Sequence, residues 1–319
     1  MLDYKLLQAL AAVIENGGFE RAGEILGLTQ SAVSQRIKSL EVRLGQPVLV
    51  RHPELQATPA GNKLLNHFQQ VQLLERDLRK TIPALAEDTT RLRIAINADS
   101  LATWWAAVVG EFCSREGLLL DLVMEDQDVG LKRMRDGDVA ACLCSSSQPI
   151  AGGRCVALGE MTYMPLATPQ YVRQFFPDGI TPEAFATSPA IVFGPNDQLQ
   201  HRFMAGCGYH GRFPYHLCPS SEGFVQLARA GMGYGMIPQI QASHWLDNGG
   251  LVNLAPGHEL KVPLYWHFWR HSGELLQRLT TTLEGAITHH YRAWRNVSCL
   301  LYTSPSPRDL STSRMPSSA

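Results

Sequence analysis

The chain has 319 residues, 45% hydrophobic and 18% charged, a globular composition that excludes a disordered chain, a collagen and a long coiled coil. Its length suggests about two domains with cores that need no disulfide or metal staple. The formal net charge is −1, so no global basic field draws the chain to nucleic acid, and any such binding must come from a local patch.

The N-terminal elements come first. Leu7, Leu10 and Ile14 form a helical stripe that ends at Asn16-Gly17-Gly18. A short helix follows from Phe19 to Leu26, and Gly27-Leu28 makes a tight turn. Thr29 stands where an N-cap belongs, and Val33, Ile37, Leu40 and Leu44 then recur at steps of four, three and four, which is one buried helical face. The opposite face carries Ser31, Ser34, Gln35 and Lys38, with Gln30 at its start: short or flexible polar groups that can donate to and accept from base edges. Two helices, a turn and a polar-faced second helix are a helix-turn-helix, whose recognition helix fits the major groove. From Thr29 to Arg51 the cations Arg36, Lys38, Arg43 and Arg51 face one acid, Glu41, a local excess that can neutralise phosphates. Residues 46–51 read as a short strand and 52–54 as a turn, together a wing that touches the DNA backbone. The bland alternative, an αα-hairpin with a solvated face, leaves the cap, the wing and the local charge without a reason. The expected base- or groove-reading residues are Gln30, Ser31, Ser34, Gln35 and Lys38, and the expected phosphate contacts are Arg36, Arg43 and Arg51.

The stretch FERAGEILGLTQSAVSQRIKSLEVRLGQPVLVR resembles the N-terminal domain of LysR-type transcriptional regulators. The resemblance is strong over about residues 3–85 and follows the family plan to about 296. Gly23 departs from it, standing where the family usually has Ala, at a helix cost of up to ~1 kcal/mol. The wing segment HPELQATPAG is also unusual for the family.

Thr58-Pro59 reads as a cap with Pro at the first helical position. Leu64, Phe68, Val71, Leu78 and Ile82 then fall on four-three spacing, interrupted at Glu75 with Leu74 beside it, on a helix that Pro83 helps to end. The resemblance implies that this linker helix pairs with that of a second subunit, as a homodimer or homotetramer, presenting two recognition helices to double-stranded promoter DNA of approximate dyad symmetry. RNA polymerase is a further implied partner. Residues 86–90 read as a hinge.

From Arg91 the pattern changes to alternating short strands and helices, which predicts mostly parallel sheets with helices on both faces. The expected strands include 118–125, 139–144, AIVF, GYGMIP, LVNL and VPLYWHFW, and the expected helices include 101–113, 129–135, 198–204, 222–230 and 274–295. The resemblance implies an α/β effector domain of two subdomains like those of periplasmic solute-binding proteins. The chain is expected to cross between them near Met161–Pro165 and Pro263–Trp266, with a ligand cleft between. The segments expected to line that cleft supply Asp99 and Ser100, with Ser100 as an N-cap, then Glu125, Asp126, Ser145, Asp197, Ser221 and Glu222. Hydroxyls and amides beside several carboxylates suit a zwitterion with an extra positive charge, the shape of lysine or arginine. Taken singly, each carboxylate is better read as a cap or a solvated loop residue.

NADSLATW, SSEGFVQLAR and LYWHFWR further resemble the ArgP-type branch of the family, the lysine- and arginine-responsive regulators also called chromosome-initiation inhibitors. That resemblance implies control of genes for basic amino-acid export or metabolism. A regulator with another small-acid effector, an enzyme acting on amino acids in the same cleft and a pure solute-binding protein are the competing readings. The last predicts a signal peptide and no helix-turn-helix.

Other signals are weaker. Cys142, Cys144 and Cys155 lack zinc-type partners nearby and read as buried thiols. His267 and His271 are four apart, but on a strand, which separates them. The Gly-rich 231–235 precedes a strand and makes a poor phosphate loop. No nucleophilic triad can be placed, so no catalytic residue, metal or cofactor is expected. Seven irregularly spaced cysteines, a start unlike a signal peptide and no run near the ~18 apolar residues of a membrane helix point to a cytoplasmic protein with reduced thiols. The expected layout is a winged helix-turn-helix over 1–58, a linker helix and hinge over 59–90 and an effector-binding domain over 91–298. Residues 299–319, CLLYTSPSPRDLSTSRMPSSA, resemble a translated sequencing adapter and are set aside as a non-native tail.

Overall fold

A computed structural model describes residues 2–51, 54–81, 90–125, 129–270 and 273–293, with side chains of 76–81, 90 and 287–293 excepted. Most of the expected hinge, Asp126, His271 and the 299–319 tail lie outside the described residues.

The N-terminal module is built from α1 (Tyr4–Glu15), α2 (Phe19–Leu26) and α3 (Gln30–Leu44). Asp3 caps α1 by accepting from Lys5 N, and Thr29 caps α3 by accepting from Ala32 N at 3.2 Å. Val33, Ile37 and Leu40 are buried in one core with Leu7, Leu10 and Val13 of α1, as the stripe in α3 predicts, so a cavity at Ile37 costs about 2–5 kcal/mol. Gly23 is more than a departure from the family pattern. A Cβ there would lie 2.7 Å from the Leu28 carbonyl oxygen, so its absence lets the α2–α3 turn close and Leu28 N donate to Gly23 O at 2.8 Å.

β1 (Leu49–Val50) and β2 (Gln56–Ala57) pair antiparallel, with Leu49 opposite Ala57. They are the wing. α4 (Pro59–Thr81) starts where Thr58 Oγ1 accepts from Gly61 N at 3.1 Å and donates to Pro47 O at 2.9 Å. Its apolar residues divide differently from the expected seam. Phe68 and Leu65 are buried in the core of their own N-terminal module, Leu64 packs partly against it, and Leu74 is exposed. The four-three spacing marks an apolar face without specifying whether that face meets α1 or a second chain, and here α1 takes its first half.

After the linker come β3 (Thr90–Ile96), α5 (Ala98–Ser100), a π-turn over Leu101–Trp105, α6 (Ala106–Glu116), β4 (Leu118–Met124), α7 (Gly130–Asp136) and β5 (Ala141–Cys144). β3 pairs in parallel with β4, from Thr90 opposite Leu118 to Ile96 opposite Met124, and with β5 at Ile94 and Ala141. Next are β6 (Gly153–Ala167), α8 (Pro169–Phe175), α9 (Pro182–Thr187), β7 (Ala190–Val192), α10 (Leu199–Gly206) and β8 (Tyr215–Leu217). The order ends with α11 (Ser221–Arg229), β9 (Gly235–Pro238), α12 (Gln239–Asp247), β10 (Val252–Asn253), β11 (Leu260–Trp269) and α13 (Gly273–Ala293).

The sheet runs β10-β6-β11-β5-β3-β4, with β9 also on β6, and β7 pairs in parallel with β8. The sheets are mixed where parallel ones were expected. β11 is antiparallel to β5, and β9 and β10 are antiparallel to β6. β5 runs on to β6, and β10 to β11, with no helix between and without pairing, so the repeated helical crossover that keeps successive strands parallel is broken at both places. The described residues form two compact units, those up to Met161 with Val262–Glu284, and Thr162–Lys261 with 285–293. The first division matches the expected crossing at Met161–Pro165, and the second falls just before the expected Pro263–Trp266.

Candidate DNA-reading face and effector-binding residues

On α3, Gln30, Ser31, Gln35 and Lys38 are exposed, while Ser34 and Arg36 are half-buried. Ser31, Gln35 and Lys38 lie on the side of the helix opposite Val33, Ile37 and Leu40, while Gln30 and the half-buried Ser34 stand at the edge of the buried stripe. Thr29 Oγ1 lies 3.0 Å from Ser31 Oγ, which ties the polar side to its cap. Arg43 approaches Asp3 at 4.0 Å, and the Arg51 guanidinium stands 5.2 Å from the centre of the Phe19 ring. Both cations are exposed, and such loose contacts are readily exchanged for phosphates. Glu41, the one acid of the cationic stretch, accepts from Val48 N at 3.0 Å. Its charge is thereby turned toward the wing, which it fastens to the recognition helix.

In the first unit, β3 delivers its polar end directly into a helix. The cap position of α5 is Asn97 (φ −74°, ψ 147°), and Ser100, expected as the cap, lies inside the helical turn. The helix begins as soon as β3 ends, three residues earlier than the Ser pattern suggested. Asn97 is 4% exposed and Ser100 fully buried, and neither the Asn97 amide atoms nor Ser100 Oγ has a hydrogen-bond partner among the described residues. Leaving such groups dry and unpaired costs about 1–3 kcal/mol each. The π-turn follows at once, a deviation that is frequent at functional sites. Trp104 and Trp105 on it are buried with their indole N–H groups equally unpartnered, and Trp105 packs on Trp266 at 5.9 Å. Asp99 is half-buried, and its carbonyl accepts from Thr103 Oγ1 at 2.6 Å.

Glu125 follows β4 and sits beside Asn97, because its N–H donates to Ile96 O at 3.1 Å. Its carboxylate takes the Arg133 guanidinium of α7, which also holds Asp138. Asp138 in turn accepts from Arg93 at 2.8 Å, and Arg93 pairs with Asp121 at 3.3 Å. Ser145 follows β5. The next residue, Ser146, accepts at its carbonyl from His267 Nε2 at 2.7 Å, and Cys155 Sγ lies 3.5 Å from the same nitrogen. Cys142 and Cys144 are buried, as expected of small strand thiols. The hydrogen bond between the two thiols, with His267 assisting, pulls the Cys144 thiol below the ordinary cysteine value and pushes Cys142 above it. Burial opposes a charge on His267, but its bonds to Cys144 and Ser146 raise its pKa above the ordinary value.

In the second unit, Asp197 accepts from Phe193 N at 3.0 Å and Leu199 N at 2.9 Å, so its carboxylate shapes the turn into α10. Ser220 caps α11, and Ser221, buried, donates to Gln241 Oε1 at 3.2 Å. Glu222 is exposed and accepts from Gln226 one turn on. Asn97, Arg133 and Gln241 were not singled out by sequence. Asn97 lay within a segment that was, but Arg133 and Gln241 stand on ordinary amphipathic helices that carry no local signal.

A winged helix-turn-helix carried on a helix ahead of a two-unit α/β domain is the plan of a ligand-responsive transcriptional regulator. The family model described as "Bacterial regulatory helix-turn-helix protein, lysR family" matches residues 4–62, and "LysR substrate binding domain" matches 86–289. The chain belongs to the LysR family, and it is a DNA-binding transcriptional regulator with an effector-binding domain, not an enzyme. It is 58% identical to the HTH-type transcriptional regulator ArgP of Pseudomonas fluorescens strain Pf0-1, over 89% of this chain and 96% of that protein. The crystal structure of ArgP from Mycobacterium tuberculosis superposes with a TM-score of 0.77 at 40% identity, covering 91% of this chain and 98% of the other. Full-length LysG from Corynebacterium glutamicum with bound effector Arg gives a TM-score of 0.69 at 34% identity, covering 90% and 98%. Among the described residues no helix is long and apolar enough to cross a membrane, and no group of side chains is arranged to hold a metal ion.

Proposed function

We propose that this regulator senses L-arginine or L-lysine in the cytoplasm and controls genes for export or metabolism of basic amino acids. The observation that carries the reading is the buried, unpartnered Asn97 amide and Ser100 hydroxyl at the end of β3, where the backbone of Glu125 joins the strand. Amide and hydroxyl suit the α-amino and α-carboxylate groups of an amino acid, and the Glu125 carboxylate suits a cationic side chain. The likeness to an arginine-bound LysG supports the same ligand class. Ser145 and Asp99 belong to this reading as further polar groups of the first unit, whereas in the second unit Ser221 bonds Gln241, Asp197 holds backbone N–H groups and Glu222 accepts from Gln226.

The module over 1–58 reads DNA through Gln30, Ser31, Ser34, Gln35 and Lys38 and grips phosphates through Arg36, Arg43 and Arg51. The linker helix and hinge over 59–90 join two chains, so that a dimer or tetramer meets an operator of approximate dyad symmetry, and RNA polymerase is the downstream partner. The domain over 91–298 biases that arrangement by binding its ligand to one state better than another.

The test is fluorescence anisotropy of labelled DNA from upstream of the gene, titrated with the full chain at two salt concentrations, with and without each amino acid. Salt-sensitive binding altered by arginine or lysine is the expected result. Salt-sensitive binding indifferent to both removes the effector assignment and leaves the regulator.

A further inference from the structure

The Glu125 carboxylate is already occupied by a cation of the protein itself. Arg133 reaches it from α7 and shares its guanidinium between Glu125 and Asp138. An arginine side chain thus stands where a basic ligand would place its own. We propose that Arg133 is an internal competitor for the effector's cationic group: a ligand guanidinium or ammonium takes Glu125 and transfers Arg133 wholly to Asp138. The inference rests on the effector reading above and deepens it by naming the specificity-determining exchange.

The exchange has somewhere to go. Asp138 follows Gly137 at the C-terminal end of α7, where Asp138 N donates to Arg133 O at 2.9 Å and Gly137 N to Met134 O at 3.1 Å. Gly137 has φ +81°, and a Cβ there would fall 2.4 Å from Asn62 O and from Asn66 Cβ of α4. The linker helix therefore rests on this turn with no room for a side chain. Arg93 of β3 holds the other oxygen of Asp138 at 2.8 Å. A shift of Arg133 toward Asp138 redistributes charge at the point of contact with the helix that carries the DNA-reading module. The exchange also explains selectivity, because a neutral ligand offers Glu125 nothing that Arg133 does not already supply, and leaves the pair closed.

The two ends of the exchange predict opposite signs. Arg133→Gln removes the competitor, so the full chain should bind L-arginine at least about fivefold more tightly by calorimetry, while its DNA affinity stops responding to arginine. Asp138→Asn removes the alternative partner, so Arg133 clings to Glu125 and L-arginine should bind several-fold more weakly. L-citrulline, the uncharged analogue, should bind poorly to the wild type. Melting temperatures confirm that each variant is folded, and Arg133→Lys should restore intermediate affinity if the glutamine variant is not. Variants that shift arginine affinity in the same direction, or not at all, overturn the exchange alone. A wild type that binds neither arginine nor lysine overturns the effector reading and the exchange with it.

Discussion

The two functional regions keep their polar groups in opposite states. On α3, Gln30, Ser31, Gln35 and Lys38 stand in water. At the end of β3, the side chains of Asn97 and Ser100 are buried, and their polar atoms have no hydrogen-bond partner among the described residues. An exposed polar group stays hydrated and costs the free protein little, whereas a buried one without a protein partner costs about 1–3 kcal/mol unless a ligand or a water meets it. The reading face is thus nearly indifferent to whether its partner is present. On the proposed effector reading, the Asn97–Ser100 turn gains most when a ligand supplies its missing partners, which is the asymmetry a switch needs.

Asn97→Ala breaks this contrast most directly. Calorimetry should show L-arginine affinity falling on the order of tenfold or more, while the ligand-free melting temperature holds or rises, because a dry unpaired amide has been removed. A ligand-free protein destabilised along with its binding would show that Asn97 serves the fold instead. Lys38→Ala comes next. DNA affinity should fall by about 1–3 kcal/mol with no change in melting temperature, and Gln35→Ala should lose discrimination between operator and mutated sites. Unchanged affinity in both would remove the recognition-face assignment.

His267 sharpens the contrast from the sensor side. Its folded pKa is raised, so its proton stabilises the folded state fully below about pH 6.5, the unfolded value, and that contribution is lost as pH climbs through the raised value. Urea midpoints should therefore show His267→Gln costing most at pH 6 and least at pH 9, and a Cys144→Ser background should flatten the difference. The smallest effect belongs to Glu222→Gln, exposed and bonded only to Gln226 in the described hydrogen bonds, at about 0.5 kcal/mol or less in stability with arginine affinity unchanged. Asp197→Asn, which weakens two backbone contacts, should cost more than that in the same melting experiment.

The reading module was legible because its chemistry lies on one element. A four-three-four stripe on α3 fixes the buried side, and the opposite side follows from helical geometry. The sensor was legible only in part. β6 escaped notice because Gly159 and Pro165 interrupt its alternation, and both are tolerated inside a strand that runs for 15 residues. The carboxylates expected to face one ligand were found individually committed, Glu125 to Arg133 and Asp197 to backbone N–H groups. Such commitments depend on residues brought close by folding, and no local spacing announces them. Ser100 lies inside the first helical turn and Asn97 takes the cap position, since the helix starts as soon as β3 ends.

Glu41 has a last consequence. Its carboxylate fastens the recognition helix to Val48 at the start of the wing, so helix and wing open and close together or not at all. The module is a caliper of fixed gap. On the proposed reading mode, a duplex gripped by both jaws must bring its groove width to that gap, so that base steps too stiff to comply would be rejected by their mechanics although no side chain reads them.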